Sequence, residues 1–119
     1  MKLLLTSLLL TLSISAADIG GKWAGTYIDV SGGNKTEPLV MILTQDGNTI
    51  TGTVGMTVEA QMPIGNGKVD GNNVTFDVTA EEVSIHYVLR LVDEHLKGQV
   101  KAVVAGEKLD GTLDVKRVE

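Results

Sequence analysis

The stretch Gly21-Lys22-Trp23-Ala24-Gly25-Thr26-Tyr27 decides the fold, and it holds the only tryptophan of the chain. Its glycine-centred core returns three times downstream, each time a few residues after a polar turn. The recurrences are Thr51-Gly52-Thr53-Val54, Lys97-Gly98-Gln99-Val100 and Asp110-Gly111-Thr112-Leu113. The sequence therefore predicts one strand pattern used repeatedly around a small β-structure, with Trp23 filling its interior.

Short alternating runs of Val, Ile, Thr and Leu predict strands along the rest of the chain, and no helical period is evident. Asp-Gly pairs such as Asp46-Gly47 and Asp70-Gly71 favour tight hairpins, because their central residues need positive φ. The expected strands are 22–30, 38–45, 49–57, 60–69, 73–79, 83–92, 96–104 and 108–117. Because short turns make successive strands antiparallel neighbours, the predicted fold is an all-β, eight-stranded up-and-down meander that closes into a barrel.

The alternation of apolar and polar residues predicts which side chains face the barrel interior. In one strand Val74, Phe76 and Val78 share a face, whereas the residues between them are polar. Nearly every inward position elsewhere is aliphatic. These positions include Leu39, Met41, Leu43, Ile50, Val54, Ile85, Leu89, Leu91, Leu96, Val100, Ala102, Val104, Leu109, Leu113 and Val115. The pattern indicates an apolar interior.

Glycine recurs at inward positions, namely Gly25, Gly52, Gly98 and Gly111. In a small barrel such glycines let strands bend and coil sharply enough to close, and we favour this interpretation over a role in ligand approach. The Gly65-Asn66-Gly67 segment predicts a β-bulge, since Ile64 and Val69 cannot otherwise both face inward.

The N-terminal residues have the three parts of a secretory signal peptide: the basic Lys2, an apolar core, and the small residues Ser15-Ala16-Ala17. The apolar run is shorter than the roughly 20 residues that cross a bilayer. We therefore expect a signal peptide at residues 1–17, cleavage near Ala17-Asp18, and one barrel domain at 18–119. The alternative is a buried hydrophobic first element. Export would make the protein secreted or periplasmic, free of the membrane after cleavage.

The composition excludes several classes of protein. With no cysteine, the chain has no disulfide and no cysteine for a bacterial lipid anchor. Fifteen acidic residues against ten basic ones give a formal net charge of −5 at pH 7. This balance argues against binding to nucleic acid or to an anionic membrane, because basic patches supply most of that affinity.

Gly21-Lys22-Trp23 near the start of the first strand resembles the calycin superfamily, which includes lipocalins, fatty-acid-binding proteins and avidins. The chain also resembles small exported bacterial β-domains of no assigned activity. Calycins place a basic residue of the last strand over this tryptophan. In this chain Arg117 is on the same inward face of the last strand as Leu113 and Val115. The resemblance therefore implies a barrel floor made by Gly21, Trp23 and Arg117. The chain lacks the length and C-terminal helix of lipocalins and the several tryptophans of avidins.

The predicted open end of the barrel carries the candidate ligand-binding residues. They are Tyr27, Met41, Met56, Met62 and Tyr87. Methionine adapts to varied apolar ligands, although it also fills gaps in protein cores. His86 and His95 fall on an outward strand position and in a turn, with no spacing that assembles three or four metal ligands. No catalytic motif is present, so we expect neither an enzyme nor a cofactor or metal site.

Two functions are favoured at this point, ahead of an enzyme whose site would have to be assembled in space from Asp, Glu and Ser side chains. The first is an exported, non-catalytic module with a structural or protein-interaction role, acting through outward residues such as Val40, Ile42, Val88 and Val92. The second is the binding of a small apolar molecule inside the barrel, as in lipocalins and avidins. The expected partner is accordingly an unidentified protein or a small hydrophobic molecule.

Overall fold

A computed structural model describes residues 16–118 of the chain. Those residues form nine strands and no helix, so none of their segments is a long apolar helix that could cross a membrane. The strands are β1 (Gly21–Asp29), β2 (Lys35–Asp46), β3 (Thr49–Thr57), β4 (Ala60–Pro63), β5 (Gly65–Asp70), β6 (Asn73–Ala80), β7 (Val83–Val92), β8 (His95–Val104) and β9 (Glu107–Arg117). The predicted signal peptide lies almost entirely outside the described residues.

Eight of the strands close into an antiparallel up-and-down barrel, which confirms the predicted fold class. Each strand of the ring pairs with its neighbours in the order β1, β2, β3, β5, β6, β7, β8 and β9. The β1–β9 ladder closes the ring, with Trp23 opposite Arg117 and Tyr27 opposite Leu113. The short β4 is a ninth strand that pairs only with β3.

The two ends of the barrel differ. We call the end that carries the β2–β3, β5–β6 and β7–β8 turns the floor, and Trp23 lies there. The other end carries the β1–β2, β3–β4, β6–β7 and β8–β9 connections, and we call it the open end. Strand direction fixes this assignment, because neighbouring strands of an antiparallel meander run in opposite directions.

The predicted inward residues form the core. The fully buried side chains of largest volume are Trp23, Phe76, Ile19, Met41, Ile50, Leu89, Leu96, Val69, Val74, Val78 and Val115. One predicted inward residue is wrong: Val104 is 36% exposed. It is the last residue of β8, opposite Glu107, and the barrel wall ends there, so its side chain has no interior to enter.

Two inward glycines lie where neighbouring strands approach too closely for a side chain. A Cβ added to Gly98 would lie 2.0 Å from the carbonyl oxygen of Val88, and one added to Gly52 would lie 2.0 Å from that of Ile42. The obstructing atoms are backbone, as the interpretation of these glycines as barrel-closing residues requires.

The predicted bulge interrupts the strand expected at 60–69 and divides it into β4 and β5. On β5, Gly65 pairs with Asp77 and Lys68 with Thr75, so three steps on β5 oppose two on β6. Asn66 takes the positive φ of 53° at the bulge. Ile64, between the two short strands, is half-buried and packs against the core, as predicted.

Above the bulge the barrel wall is not continuously paired. The described ladders join β4 to β3 alone, and Val78, Thr79 and Ala80 of β6 to β7 alone. We call this gap between residues 60–63 and 78–80 the seam. It opens toward the open end of the barrel.

Candidate binding cleft at the open end

The floor is closed by Trp23 and Arg117. The Trp23 side chain is fully buried, and its indole Nε1 donates a hydrogen bond to the Ile19 carbonyl at 3.0 Å. The Arg117 Cζ atom lies 4.6 Å from the centroid of the Trp23 ring. Its guanidinium also donates to the carbonyl oxygens of Asp18, at 2.7 Å, and of Gly20. Gly21, at the start of β1, has a φ of 128° that side-chain-bearing residues rarely adopt.

Ile19 completes the floor, and the sequence reasoning missed it. Its side chain is fully buried, and its N–H donates to Oε1 of Gln45 at 2.7 Å. Gln45 in turn donates from Nε2 to the carbonyl of Ala17 at 2.9 Å. Ile19 precedes the first strand and belongs to no alternating run. The only signal was a single large apolar residue isolated between Asp18 and Gly20.

An apolar cleft of about 310 Å³ lies at the open end, beside the seam. Its walls are aliphatic or sulfur-containing except for one tyrosine. The lining residues are Leu39, Val54, Gly55, Met56, Ala60, Met62, Val78, Ile85 and Tyr87. Met56 and Met62 are 48% and 36% exposed and form its rim, whereas Tyr87 is 6% exposed. The cleft therefore connects solvent with the apolar interior.

The cleft brings together three of the five predicted ligand-binding residues, Met56, Met62 and Tyr87. Met41 lies apart from it. Its side chain is fully buried opposite Trp23 and Val54, where it fills the core near the floor. Tyr27 is half-buried and does not line the cleft. Its ring lies over Gly111, where an added Cβ would come within 2.4 Å of the phenol oxygen.

Tyr87 supplies the only hydrogen-bonding side chain among the cleft residues. Its ring stacks on Phe76, with the centroids 4.5 Å apart and the planes inclined by 22°. Burial raises the pKa of Tyr87 to about 12, and Tyr27 adds a smaller electrostatic effect. Within residues 16–118 no hydrogen bond contributes to this shift. The Tyr87 hydroxyl is therefore neutral at physiological pH.

The rim of the open end is acidic on both sides of the seam. Glu59 lies in the β3–β4 turn, and Glu81 and Glu82 lie in the β6–β7 turn. All three are exposed, and none forms an ion pair within the described part of the chain. On the far side of the barrel, burial and then the carboxylates of Asp29, Glu37 and Asp110 raise the pKa of Tyr27.

Both histidines make carboxylate pairs on the outer surface. His86 Nδ1 lies 2.5 Å from Oδ1 of Asp77, and His95 Nδ1 lies 2.6 Å from Oδ1 of Asp114. The hydrogen bonds from His86 and Asn66 hold the pKa of Asp77 below its ordinary value. No group of three or more metal-ligating side chains occurs in residues 16–118.

The outward apolar residues do not form one surface. Ile42 lies on β2, whereas Val88 and Val92 lie on β7, four positions away around the eight-stranded ring. The two groups therefore face opposite sides of the barrel. By contrast Met56, Val58 and Met62, which are all at least 36% exposed, lie together on the β3–β4 hairpin at the open end.

Similarity to other proteins adds nothing to this geometry. No protein-family model matches the chain, and no curated protein and no solved structure is detectably similar to it, so its function has to be inferred from the cleft itself.

Proposed function

We propose that the chain is a non-catalytic binding module whose open-end cleft binds a small apolar molecule or the apolar part of a larger one. The observation that carries the proposal is the apolar cleft of about 310 Å³, with one buried tyrosine in its wall. Ligand sites are typically concave and apolar, with a few polar groups that orient the ligand. The volume is at the lower end of the usual range, which begins near ~300 Å³.

The contrast between the two ends supports this proposal. The floor is filled by the fully buried side chains of Ile19 and Trp23, and hydrogen bonds from the Ile19 N–H and the Trp23 indole hold both in place. At the open end, Met56 and Met62 are exposed although they are large and apolar. Such side chains are costly to leave in water, and methionine adapts its shape to different partners. A ligand in the cleft would remove both from solvent.

We also propose that the chain is related to the calycins and that it is exported. The eight-stranded barrel and the Arg117 guanidinium over Trp23 support the kinship, because both features are those expected of calycins. The signal-peptide pattern of residues 1–17 supports secretion or export to the periplasm. A protein-interaction role through the outer face has less support, because Ile42 and Val88 lie on opposite sides of the barrel.

The proposal is tested with N-phenyl-1-naphthylamine, an apolar dye whose fluorescence rises on leaving water. We expect saturable binding to the wild-type protein and a loss of about tenfold in affinity in a Met56→Glu/Met62→Glu double variant, since charge is costly in an apolar site. Val88→Glu/Val92→Glu places the same two charges on outer positions of similar exposure and should leave binding unchanged. No binding of the dye to the wild type, or equal losses in both variants, would refute the binding of a small molecule in the cleft.

A further inference from the structure

We propose that the seam is a docking site for an extended polypeptide segment that adds a strand to the edge of β6 and places its inward side chains in the cleft. The inference rests on the proposed function, because it identifies the apolar group in the cleft as a side chain. It differs from small-molecule binding in requiring hydrogen bonds from the backbone of the ligand.

The edges on both sides of the seam have unpaired backbone groups. Ile64 N–H donates to the Gly52 carbonyl at 3.0 Å, so the alternation of the antiparallel ladder turns the backbone groups of Pro63 and Gln61 away from β3 and toward the seam. On the opposite edge, Leu91 N–H donates to the Asn72 carbonyl, so the same alternation turns the backbone N–H and C=O of Thr79 toward the seam. Those of Val78 and Ala80 face β7. Unpaired strand edges of this kind accept an added strand.

The two edges are not equivalent. Pro63 has no N–H, and proline at a strand edge is a common means of limiting strand pairing. The β6 edge contains no proline and continues from the paired segment that ends at Asp77. An incoming strand should therefore pair with β6. Since Met62 and Val78 line the cleft from the two sides of the seam, its alternate side chains would enter the cleft.

Charge determines which kind of segment fits. Glu59 and Glu81-Glu82 flank the seam at the open end, are exposed, and form no ion pair within residues 16–118. A strand antiparallel to β6 enters the seam at this end with its N-terminal residues. The partner is therefore an extended segment with alternating aliphatic residues preceded by lysine or arginine.

The test uses a fluorescein-labelled peptide, Lys-Lys-Val-Thr-Val-Thr-Val, and fluorescence anisotropy with the full barrel. We expect saturable binding, and a loss of about fivefold when the peptide is N-methylated at alternate positions, because the hydrogen bond to the Thr79 carbonyl is then removed. Replacing its valines with serine should abolish binding. Binding that is indifferent to N-methylation, or that is absent up to about 1 mM peptide, would overturn strand addition.

Protein variants test the charge argument. Glu59→Lys/Glu81→Lys should weaken peptide binding by about fivefold, since the attraction is exposed to solvent. The matched control is Asp46→Lys/Asp70→Lys, which makes the same change of charge at exposed positions of the floor end and should alter binding by less than about twofold. Equal effects of the two pairs would mean that net charge, and not the seam, attracts the peptide.

The naphthylamine dye separates the two proposals. If the dye binds and the peptide does not, strand addition is overturned and the binding module stands. If the peptide binds with the expected dependence on N-methylation and the dye does not, the seam is a polypeptide site and the small-molecule function is refuted. If neither binds, both proposals fail.

Discussion

Arg117 has two roles in the floor. Its guanidinium lies over the Trp23 ring, and its N–H groups donate to the carbonyls of Asp18 and Gly20, which precede β1. The cation–π contact is worth about 0.5–2 kcal/mol, depending on how far the charge is removed from water. The carbonyls of the N-terminal segment would have to find water in its absence. One side chain therefore joins the last strand to the residues that enter the first.

We expect Arg117→Ala to lower the free energy of unfolding by about 2 kcal/mol, through loss of the cation–π contact and of two hydrogen bonds. Trp23→Ala should cost about 3–5 kcal/mol, because it leaves a cavity in the core. Urea denaturation gives both values, with the exposed neighbour Lys116→Ala as a control that should change little. Stabilities of both variants equal to the wild type would contradict the pairing.

Single residues show where sequence-based inference succeeds. The inward faces of Trp23 and Arg117 followed from strand alternation, which is a local property repeated every two residues. Their contact with each other was implied by the resemblance to calycins. Met41 has the same inward parity as Leu39, yet only Leu39 lines the cleft. The alternation along a strand shows which face of the sheet a side chain is on. It does not say how far along the barrel axis the residue lies relative to residues on other strands, because that depends on the stagger between strands.

The inward glycines belong to the strands, and Gly98 provides a test. An alanine Cβ there would meet the Val88 carbonyl at 2.0 Å, so β7 and β8 would have to separate. We expect Gly98→Ala to lower the free energy of unfolding by about 2 kcal/mol, as overpacking commonly does. Gly65→Ala is the matched control, because nothing lies within 4 Å of its added Cβ and its φ is ordinary.

Gly65→Ala should be neutral or stabilising by up to about 1 kcal/mol, since alanine reduces the entropy of the unfolded chain. Urea denaturation compares the two variants. If Gly98→Ala were as stable as Gly65→Ala, the close approach of β7 and β8 would not be the reason for glycine at position 98. The alternative would then be a close approach of a ligand to the backbone at Gly98.

At the level of elements, the strands and the bulge were predictable and the seam was not. Alternation and turn residues are local signals, and they place the strands correctly to within a few residues. The bulge followed from the conflict between Ile64 and Val69. Whether β4 reaches β6 depends on the relative placement of residues 60–63 and 78–80, which lie fifteen to twenty positions apart in the chain and which no local pattern relates. The binding cleft opens there, so the site was only partly foreseeable.

The whole barrel combines a sealed end with an open one. Trp23, Ile19 and Arg117 close the floor by packing and hydrogen bonds, which fixes the stagger of β1, β2 and β9. The open end keeps its apolar wall exposed and its β6 edge unpaired. Stability concentrated at one end is compatible with binding at the other, because elements that move or accept partners are drawn from the less stable parts of a fold.

The buried Tyr87 makes the stability of the whole barrel depend on alkaline pH. Tyrosine ionises at a pKa of about 10 in an unfolded chain, whereas burial raises the pKa of Tyr87 to about 12 in the folded protein. The raised value means that Tyr87 supports folding fully below pH ~10, and that this contribution is lost as the pH rises toward about 12, by roughly 2–3 kcal/mol.

Urea denaturation from about pH 9, below the pKa of tyrosine in the unfolded chain, to about pH 12, the pKa in the folded protein, checks this expectation. Tyr87→Phe keeps the stacking on Phe76 but cannot ionise, so its stability should fall less steeply across that interval than the wild type's. Comparing the stabilities of the wild type and Tyr87→Phe at each pH removes the contribution of lysine titration, which occurs in the same pH range. Tyr27→Phe is the control, because Tyr27 is less buried and the pKa of its hydroxyl is raised by less. Parallel curves for the wild type and Tyr87→Phe would show that Tyr87 ionises without opening the barrel, and that its hydroxyl already reaches solvent through the cleft.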